Sequence, residues 1–571
     1  MNWRNFEKHL LDSGFSQKDR AFLEKVFEFA SKIHEGEKRL SGDDYIVHPI
    51  AVAIKIMNLK LDAATVAAGL LHDVVEKDPQ AQKEIRKKFG EEVAFLVDSV
   101  TKVDRVHATG TDRAMESVKK MFLAVAQDIR VVIVKLMDRL HNMETLSYQK
   151  KEKQDRIAKE TLSLYASLAD RLGMWNVKAK LEDLSMRYVY PQEYEKITTE
   201  VKKRLPERER FLKKLVPILK VELEKEKIPL SDISYREKHI YSIWKKLEQN
   251  EGDWSRLFDL LAVRIIVPDI KNCYGALGVI HKLWKPIPGR FKDYIALPKP
   301  NGYQSLHTSV FAEDGVVVEF QIRTEEMHKE AESGIAAHWA YSEAGKPKQG
   351  FKAIGKKFNW IGQLAQWEKD LEKSNSSSEE MLESLKIDFF RDRIFVLTPK
   401  GDVIDLPQGA TPLDFAYHIH SEIGNKASGA KVNEKLVSLS RELNSGDVIE
   451  IMTQKNKKPS IEWLSMVKTS MAKNFIRREL KISGSKSFLS LNSYPVDLKI
   501  YGKNRIGFIK DITAVFSRLR INIQSLNADR SGNEAAPIKI NFLSKGEEQI
   551  KKLTEVLKKV EGVTRVESKV K

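Results

Sequence analysis

The chain has 571 residues, enough for about three to five domains of roughly 100–200 residues each. Lysine and arginine outnumber aspartate and glutamate by 97 to 80, and this net charge of +17 suits a protein that handles nucleotides or RNA. The single cysteine, Cys273, excludes an intramolecular disulfide and a cysteine-rich zinc ribbon. Because the sequence shows no signal core and no long apolar run, we expect a cytoplasmic protein without a membrane partner.

Residues 1 to about 190 repeat apolar side chains at helical spacing, which predicts an all-helical domain. Two imidazoles and two carboxylates in this domain are candidate metal ligands: His48, His72, Asp73 and Asp138. Such a set suits a divalent transition metal, with Mn²⁺, Zn²⁺ and Fe²⁺ as candidates. His72 and Asp73 end the apolar stretch 63–71, where two polar groups without a partner are energetically costly.

The order and surroundings of these ligands resemble the HD phosphohydrolase superfamily, and the alarmone hydrolases in particular. The resemblance rests on Arg-Leu-Ser-Gly-Asp-Asp-Tyr-Ile-Val-His-Pro from Arg39 and on Asp-Arg-Leu-His-Asn-Met-Glu-Thr-Leu from Asp138. It implies a Mn²⁺ site that activates water to remove the 3′-pyrophosphate of (p)ppGpp, with Glu76 orienting that water. The nucleotide pocket that it implies contains Arg39, Asn142 and Thr145.

One position departs from that family, which has His-Asp-x-x-Glu-Asp where this chain has His-Asp-Val-Val-Glu-Lys from His72 to Lys77. A cation about 6 Å from a divalent ion opposes it by a few kcal/mol per unit charge. Pro79 disfavours helical backbone at Asp78, so we predict that the helix ends there and that Asp78 partly replaces the lost acid. We expect a retained hydrolase. A second possibility is that Lys77 turns toward the substrate phosphates, where its charge would help binding.

A cationic loop dominates the next part of the chain, after a charged helical connector at 191–230. Within residues 289–324, three cations flank a Pro-Lys-Pro-Asn-Gly turn that leads to an aromatic residue and a histidine. These residues are Arg290, Lys292, Lys299, Tyr303 and His307. Cations on a loop are well placed to hold phosphates. Alternation along the following strand places Glu319, Gln321 and Arg323 on one face.

This stretch resembles the synthetase domain of the long RelA/SpoT-type alarmone enzymes, which transfer pyrophosphate from ATP to the 3′-hydroxyl of GDP or GTP. The resemblance implies that Asp259 holds Mg²⁺ and that Glu319 binds Mg²⁺ or deprotonates the attacking hydroxyl. It also implies that Tyr303 stacks on guanine. Three cations on the start of a helix would contact the ATP phosphates: Arg236, Lys238 and Lys246. The other implied substrate contacts are Arg264, Arg290, Lys292, Lys299, Asn301, His307, Gln321 and Arg323.

The last third of the chain resembles two small regulatory domains. Residues from Asp392, with a helix that Thr411 and Pro412 begin, resemble the TGS domain of threonyl-tRNA synthetases and alarmone enzymes. That resemblance implies contact with the 3′ end of uncharged tRNA, with Tyr417, His418 and His420 as candidates. From Val496, the pattern is βαββαβ, and it resembles an ACT domain that takes an amino-acid or protein ligand. The Cys-rich module of long family members is not found.

The fold class that follows is multidomain, α and α+β. We predict an all-helical HD-type hydrolase domain at 1–195 and an α+β nucleotidyltransferase-like synthetase domain at 196–345. A basic, serine-rich linker follows at 346–390. We then predict a β-grasp TGS domain at 391–455, a short helical linker at 456–492 and a βαββαβ ACT domain at 493–571.

The favoured function is a bifunctional (p)ppGpp synthetase and hydrolase, and several alternatives remain. The chain could perform only one of the two reactions, or it could be a catalytically dead, ribosome-bound sensor of uncharged tRNA. A nucleotidyltransferase–HD–ACT protein that modifies a regulatory protein is a further alternative. Such proteins begin with the transferase and carry an Asp-x-Asp string, whereas here the HD-type sequence comes first and no such string occurs. Intact Asp259, Glu319 and metal ligands argue against a dead scaffold.

Overall fold

The computed structural model describes residues 3–104, 120, 127–254, 257, 260–299, 301–337, 393–480, 494–502, 505, 507–519, 521, 523–528, 538–544 and 547–570. Asp259 and the predicted linker at 346–390 lie outside this set. The chain divides into two compact units. The first comprises 1–372, 378–457 and 466–472, and the second comprises 373–377, 458–465 and 473–571.

The regular elements described in the N-terminal part of the first unit are helices, which confirms the predicted fold class. Its helices are α1 (Trp3–Asp12), α2 (Gln17–Ile33), α3 (Val47–Asn58), α4 (Ala63–Leu71), α5 (Val74–Lys77), α6 (Ala81–Phe89), α7 (Glu91–Asp104), α8 (Ile129–Glu144), α9 (Lys151–Glu160), α10 (Ala166–Arg171), α11 (Trp175–Val189) and α12 (Pro191–Lys225). A 3₁₀ turn at Leu146–Tyr148 and a π-helical turn at Thr161–Tyr165 complete them.

Helix α8 lies at the centre of this bundle. Asp128 caps its N-terminus by accepting a hydrogen bond from the Arg130 amide, and nearly every residue from Ile129 to Met143 is buried. Helices α3, α4, α7 and α11 pack around α8. Since the helix is enclosed on all sides, its polar residue Asp138 must find partners inside the protein.

A mixed six-stranded sheet forms the second part of the same unit. Its strands are β1 (Asp232–Glu237), β2 (Leu261–Val267), β3 (Lys285–Pro286), β4 (Lys292–Asp293), β5 (Leu306–Phe311) and β6 (Val317–Thr324). Three helices accompany them: α13 (Ile240–Gln249), α14 (Ile270–Leu283) and α15 (Glu325–Ser333). The order is β1-β2-β6-β5-β3, with β4 also paired to β5, and only β2 and β6 run parallel.

One face of this sheet is apolar and covered by helices. Val263, Ile265 and Phe320 pack with residues of α14 and with the C-terminal half of α12. The interpretation of residues 191–230 as a connector is therefore incomplete, because Leu215 and Leu219 of α12 belong to the core of the sheet. The opposite face is left for polar side chains.

The TGS-like part forms a β-grasp, as predicted. Its elements are β7 (Arg393–Leu397), β8 (Val403–Pro407), α16 (Pro412–Ile419), α17 (Ser421–Asn425), β9 (Ala427–Val432), β10 (Lys435–Val437) and β11 (Ile449–Thr453). Strands β7 and β8 form a hairpin, β9 lies between β10 and β11, and a parallel bridge joins Leu397 to Val448. Thr411 caps α16 in a capping box, with Pro412 in the first turn as expected.

A buried carboxylate attaches the chain beyond the β-grasp to helix α16. Asp414 accepts hydrogen bonds from the amides of Thr411, Lys468 and Thr469, and from the hydroxyls of Thr411 and Thr469. Thr469 in turn accepts from the amide of Ala472 in helix α19 (Ser470–Glu479). Asp414 therefore fixes the start of α16 and the start of α19 together.

We expect Asp414→Asn to lower the stability of the β-grasp by about 2–4 kcal/mol, because an amide leaves buried donors unpaired. The measurement is the midpoint of chemical denaturation, with limited proteolysis used to detect unfolding of the TGS-like part. Glu442→Gln, which neutralises an exposed acid of the same part, is the control and should change little. An unchanged midpoint for Asp414→Asn would contradict this role.

The second unit contains the predicted βαββαβ arrangement. Its elements are β12 (Tyr494–Gly502), α20 (Phe508–Arg518), β13 (Ile523–Asn527), β14 (Ile538–Ser544), α21 (Glu547–Leu557) and β15 (Val563–Val570), preceded in the chain by α18 (Trp463–Met466) and α19. The strands are antiparallel in the order β13-β14-β12-β15. Both helices pack on one face of this sheet. Among the described helices, none combines the length and apolar character that crossing a bilayer requires.

Candidate active sites

The four predicted metal ligands converge at one place in the helical part. His48 begins α3, His72 and Asp73 follow α4, and Asp138 projects from α8. Nε2 of His48 lies 3.2 Å from Nε2 of His72 and 3.2 Å from Oδ1 of Asp138. Asp73 places its carboxylate oxygens 3.2 Å from His72 Nε2 and 3.5 Å from His48 Nε2. Donor atoms about 3 Å apart can share one cation at ordinary bond lengths of about 2.0–2.2 Å.

The second nitrogen of each imidazole is already occupied, which leaves Nε2 for a metal. Nδ1 of His72 bonds the carbonyl oxygen of Gly69 at 2.8 Å, and Nδ1 of His48 lies 2.7 Å from Nδ1 of His141. This hydrogen bonding of the far nitrogen is the usual support of a metal-binding histidine. His48, His72 and Asp138 are buried and can together hold a divalent ion.

Cationic and amide donors keep the Asp138 carboxylate charged. Burial opposes its charged form, but Lys135 at 2.6 Å outweighs that penalty and holds the pKa of Asp138 well below its ordinary value. Asn142 also donates to Oδ1 of Asp138 at 2.6 Å. In the same way, the hydroxyl of Tyr45 donates to Asp73 at 2.9 Å. The site is thus prepared to bind a cation.

The three predicted nucleotide-pocket residues also lie together. The Arg39 guanidinium donates to Asn142 Oδ1 at 3.2 Å and to Thr145 Oγ1 at 3.5 Å. Arg39 also lies 3.2 Å from Nδ1 of His141, a residue that the sequence interpretation did not select. The signal for it was present, because His141 follows Asp138 by three residues and so shares its helix face.

The residues after His72 depart in part from the expected arrangement. Helix α5 ends at Lys77, and Asp78 has extended backbone, as Pro79 predicts. Lys77 Nζ forms an ion pair with Glu37 at 3.0 Å. The charge of Lys77 is therefore paired with an acidic side chain of the protein itself. The Asp78 carboxylate accepts a hydrogen bond from the Gln80 amide at 2.9 Å. Glu76 is exposed on α5.

The polar face of the mixed sheet gathers the predicted synthetase residues. A row of directly paired residues crosses the strands from β4 to β1: Lys292, His307, Gln321, Arg264 and Ser234. Paired residues on neighbouring strands project from the same face. Since side chains two positions apart along a strand also share a face, Arg236, Glu319 and Arg323 project there too. The predicted polar line on β6 is therefore present.

Glu319 lies at the centre of a hydrogen-bonded chain on this face. Its Oε1 accepts from Gln321 Nε2 at 3.0 Å and lies 3.4 Å from Nδ1 of His307. Gln321 in turn accepts from Arg236, and His307 Nε2 is 2.8 Å from the Tyr303 hydroxyl. Burial opposes the charge of Glu319, but these contacts outweigh it and lower its pKa to about 2. Asp259, its predicted partner, is outside the described residues.

The cations predicted on the start of a helix are distributed differently. Arg236 lies in strand β1, Lys238 follows that strand, and Lys246 is in the last turn of α13. Helix α13 begins only at Ile240, so the prediction placed the start of this helix too early in the sequence. Arg290 and Lys292 lie at the exposed start of the cationic loop.

An aromatic residue of the helical part contacts the cationic loop. Lys299 Nζ lies 5.0 Å from the ring centroid of Trp175, 4.7 Å from Tyr294 and 5.2 Å from Tyr303. Burial lowers the pKa of Lys299 to about 8. Asn301 donates to the carbonyl of Asp170 at 3.2 Å. Trp175 was not selected from the sequence, and local periodicity offers no signal for a contact more than a hundred residues away.

The three candidate tRNA contacts differ in exposure. Tyr417 is 2% exposed and bonds Asn425 Oδ1 through its hydroxyl at 3.0 Å, so its ring belongs to the interior of the β-grasp. His418 is half-buried, and burial lowers its pKa. His420 is exposed and caps α17 by accepting from the Glu422 amide. Burial thus favours His420 over Tyr417 as a surface contact.

Four known domain families match successive parts of the chain. The HD domain matches residues 26–175, and the region found in RelA/SpoT proteins matches residues 235–346. The TGS domain matches residues 394–453, and the ACT domain matches residues 490–567. The cation-binding cluster lies within the first match, and the Glu319 network lies within the second.

Several curated proteins are similar in sequence to this chain over about four fifths of its length. A GTP pyrophosphokinase of Myxococcus xanthus is 46% identical over 84% of this chain and 63% of its own length. A guanosine-3′,5′-bis(diphosphate) 3′-pyrophosphohydrolase of Aquifex aeolicus is 47% identical over 82% of this chain and 66% of its own. The bifunctional (p)ppGpp synthase/hydrolase SpoT of Escherichia coli is 43% identical over 80% of this chain and 64% of its own length. The chain spans less than two thirds of the length of these curated relatives.

Proposed function

Because this chain belongs to the RelA/SpoT family, we propose that it both synthesises and degrades guanosine tetra- and pentaphosphate. The observation that carries the proposal is the presence of two separate sites in one chain. One is the buried histidine–aspartate cluster, and the other is the polar sheet face around Glu319. A dead scaffold has no physical need for either.

In the proposed hydrolytic reaction, water attacks the phosphorus bound to the 3′-oxygen, and that P–O bond breaks to release pyrophosphate. The divalent ion, for which we propose Mn²⁺, supplies Lewis-acid activation of the water when bound. His48, His72, Asp73 and Asp138 would hold it. Arg39, with Asn142 and Thr145, binds the nucleotide, and Glu76 orients the water. The support is the convergence of Arg39 and Asn142 beside Asp138.

In the proposed synthetic reaction, the 3′-hydroxyl of GDP or GTP attacks the β-phosphorus of ATP, and AMP leaves. Glu319 and Asp259 would hold Mg²⁺, which would supply charge neutralisation for the ATP phosphates. The contacts that lower the pKa of Glu319 favour its charged form, which suits the metal-binding role. The cations of β1, β2, β6 and the loop bind phosphates, and Tyr303 and Asn301 bind the acceptor base. Because Trp175 packs on Tyr303 at 5.8 Å between ring centroids, stacking of guanine on that ring requires a local rearrangement.

We propose that Lys77 does not abolish the hydrolase. Glu37 forms an ion pair with Lys77, and the hydrogen bond from His34, together with that pair, lowers the pKa of Glu37. The added positive charge is therefore partly compensated before it acts on a metal. Asp78, with its extended backbone, can exchange its bond to the Gln80 amide for a role near the bound water.

We expect Asp78→Ala to reduce hydrolysis by about ten-fold or more, and Lys77→Asp to preserve or raise it. Pyrophosphate release from tetraphosphate with Mn²⁺ is the measurement. Glu84→Ala on α6 removes an exposed acid of the same region and serves as the control. Equal rates for Asp78→Ala and Glu84→Ala would remove Asp78 from the site.

We also propose that the β-grasp binds uncharged tRNA on the ribosome, with His420 and His418 as contacts, and that the C-terminal domain takes an amino-acid or protein ligand. The domain limits proposed are 1–195, 196–345, 391–455 and 493–571, and the proposed location is the cytoplasm. The excess of cations suits a nucleic-acid partner.

Binding to ribosomes that carry uncharged tRNA is expected to be weak and to fall steeply between about 50 and 200 mM salt, because phosphate contacts release counterions. Co-sedimentation at several salt concentrations measures this. His420→Ala should weaken the association further, whereas His9→Ala, at an exposed position of α1, should not. Tight co-sedimentation that resists salt would contradict the proposal.

A further inference from the structure

The polar face of the mixed sheet contains a carboxylate that the proposed reaction does not use. Glu332 projects from helix α15, and its Oε1 lies 3.4 Å from a guanidinium nitrogen of Arg264 and 3.3 Å from one of Arg323. Its Oε2 accepts from Asn176 Nδ2, in helix α11, at 3.5 Å. One carboxylate therefore contacts two arginines of the sheet and one amide of the helical part. The same nitrogen of Arg323 also lies 2.6 Å from Nδ1 of His328.

The two arginines have more donor groups than Glu332 can satisfy. Arg323 is 2% exposed, and the Nε atoms of both arginines are buried without a hydrogen-bond partner among the described residues. Burial lowers the pKa of Arg323 to about 10, and Arg264 and Arg236 add to this. The pKa of Arg264 is also lowered by burial and by Arg236. An anion with more oxygens and more charge, such as a pyrophosphate group, satisfies paired guanidinium groups better than one shared carboxylate.

We propose that Glu332 is an internal competitor for the substrate phosphates, which holds Arg264 and Arg323 until a pyrophosphate-bearing nucleotide displaces it. The inference rests on the proposed synthetase function, which assigns these arginines to phosphate binding. Displacement of Glu332 costs about the same for every anion that binds both arginines, so it lowers the affinity for each of them. Only an anion whose contacts with the arginines outweigh this cost stays bound, which a di- or triphosphate achieves more readily than a monophosphate. Its release also breaks the contact with Asn176, so that nucleotide binding is linked to helix α11.

The test measures binding of inorganic pyrophosphate and of orthophosphate to the full chain by titration calorimetry. A chelator in the buffer keeps metal from the hydrolase cluster. Glu332→Gln keeps the shape of the side chain and removes its charge, so we expect pyrophosphate to bind about ten-fold more tightly. Orthophosphate should gain by a similar factor, so that the ratio of the two affinities changes little, because the cost that is removed is the same for both anions. Glu326→Gln, an exposed acid on the same helix, is the matched control and should change neither affinity.

Two further variants locate the effect and protect the test against misfolding. The gain in pyrophosphate affinity should disappear when Arg323→Ala is combined with Glu332→Gln. The arginine that Glu332→Gln releases for phosphate binding is then missing. If Glu332→Gln does not fold, as judged by its melting temperature, Glu332→Ala takes its place with the same expected direction. Equal or weaker pyrophosphate binding in the folded variant overturns the inference, since Glu332 would then support the arginines.

The outcome is distinguishable from failure of the proposed function, because binding is measured without turnover. A chain that makes tetraphosphate but shows no gain in the Glu332 variant overturns only the competition. A chain that shows the gain but makes no tetraphosphate keeps the anion competition and overturns the synthetase.

Discussion

Glu319→Gln is expected to reduce synthesis of guanosine tetra- or pentaphosphate by about a thousand-fold or more, while ATP binding is largely retained. Glutamine keeps the size of the side chain and its bond to Gln321, but it removes the charge that a Mg²⁺ ion requires. The cations that we propose to bind phosphates remain in place, so we expect ATP binding to be preserved. Quantification of labelled product and AMP, with ATP binding measured separately, provides the test.

The control for this variant is Glu313→Gln, which changes an exposed acid in the turn between β5 and β6. It should leave synthesis within about two-fold of the wild type. Unchanged turnover in Glu319→Gln would remove Glu319 from the site and would contradict the assignment of the polar sheet face. Because a pKa of about 2 keeps Glu319 charged above that pH, loss of synthesis between about pH 5 and 7 would have to come from another group.

His72→Ala is expected to reduce pyrophosphate release to background and to leave synthesis intact. The substitution removes a buried imidazole from the predicted metal site. In the wild type, Nε2 of His72 lies within 3.7 Å of an oxygen of Asp73, an oxygen of Asp138 and Nε2 of His48. A chelator should abolish hydrolysis in the wild type, and added Mn²⁺ should restore it in the wild type only. His9→Ala is the control for loss of an imidazole.

The same comparison would also show whether the histidine–aspartate cluster is not catalytic. If the wild type releases pyrophosphate no faster than His72→Ala, the helical domain is not a hydrolase, and the cluster has a regulatory or structural role. The synthetase proposal would remain, since the Glu319 network lies on a different element. If the variant also loses synthesis while it stays folded, the two sites are not independent.

The fold was largely predictable because its signals are local. Helical spacing identified the N-terminal bundle, Pro79 ended α5, and Thr411 with Pro412 began α16. His72 and Asp73 could be selected because polar residues at the end of a buried helix need partners. With His48 and Asp138 they make a set of side chains that suits a divalent metal. His141 and the burial of Tyr417 also had local signals, in the three-residue spacing from Asp138 and in the apolar face of α16.

Contacts between distant segments could not be predicted in this way. Trp175 and Asn176 reach Lys299 and Glu332 across more than a hundred residues, and neither position breaks the helical pattern around it. The packing of α12 on the mixed sheet was missed because a charged helix with one apolar stripe resembles a connector until its partner is known. The Lys77–Glu37 pair likewise depends on the loop between α2 and α3.

The most direct test of two reactions in one chain is to resolve the nucleotides formed by the purified protein under two conditions. With ATP, GDP and Mg²⁺, we predict guanosine tetraphosphate and an equal amount of AMP. With tetraphosphate and Mn²⁺, we predict GDP and pyrophosphate. Absence of products under both conditions, from a folded chain that retains nucleotide binding, would contradict the account and favour a sensor without catalytic activity.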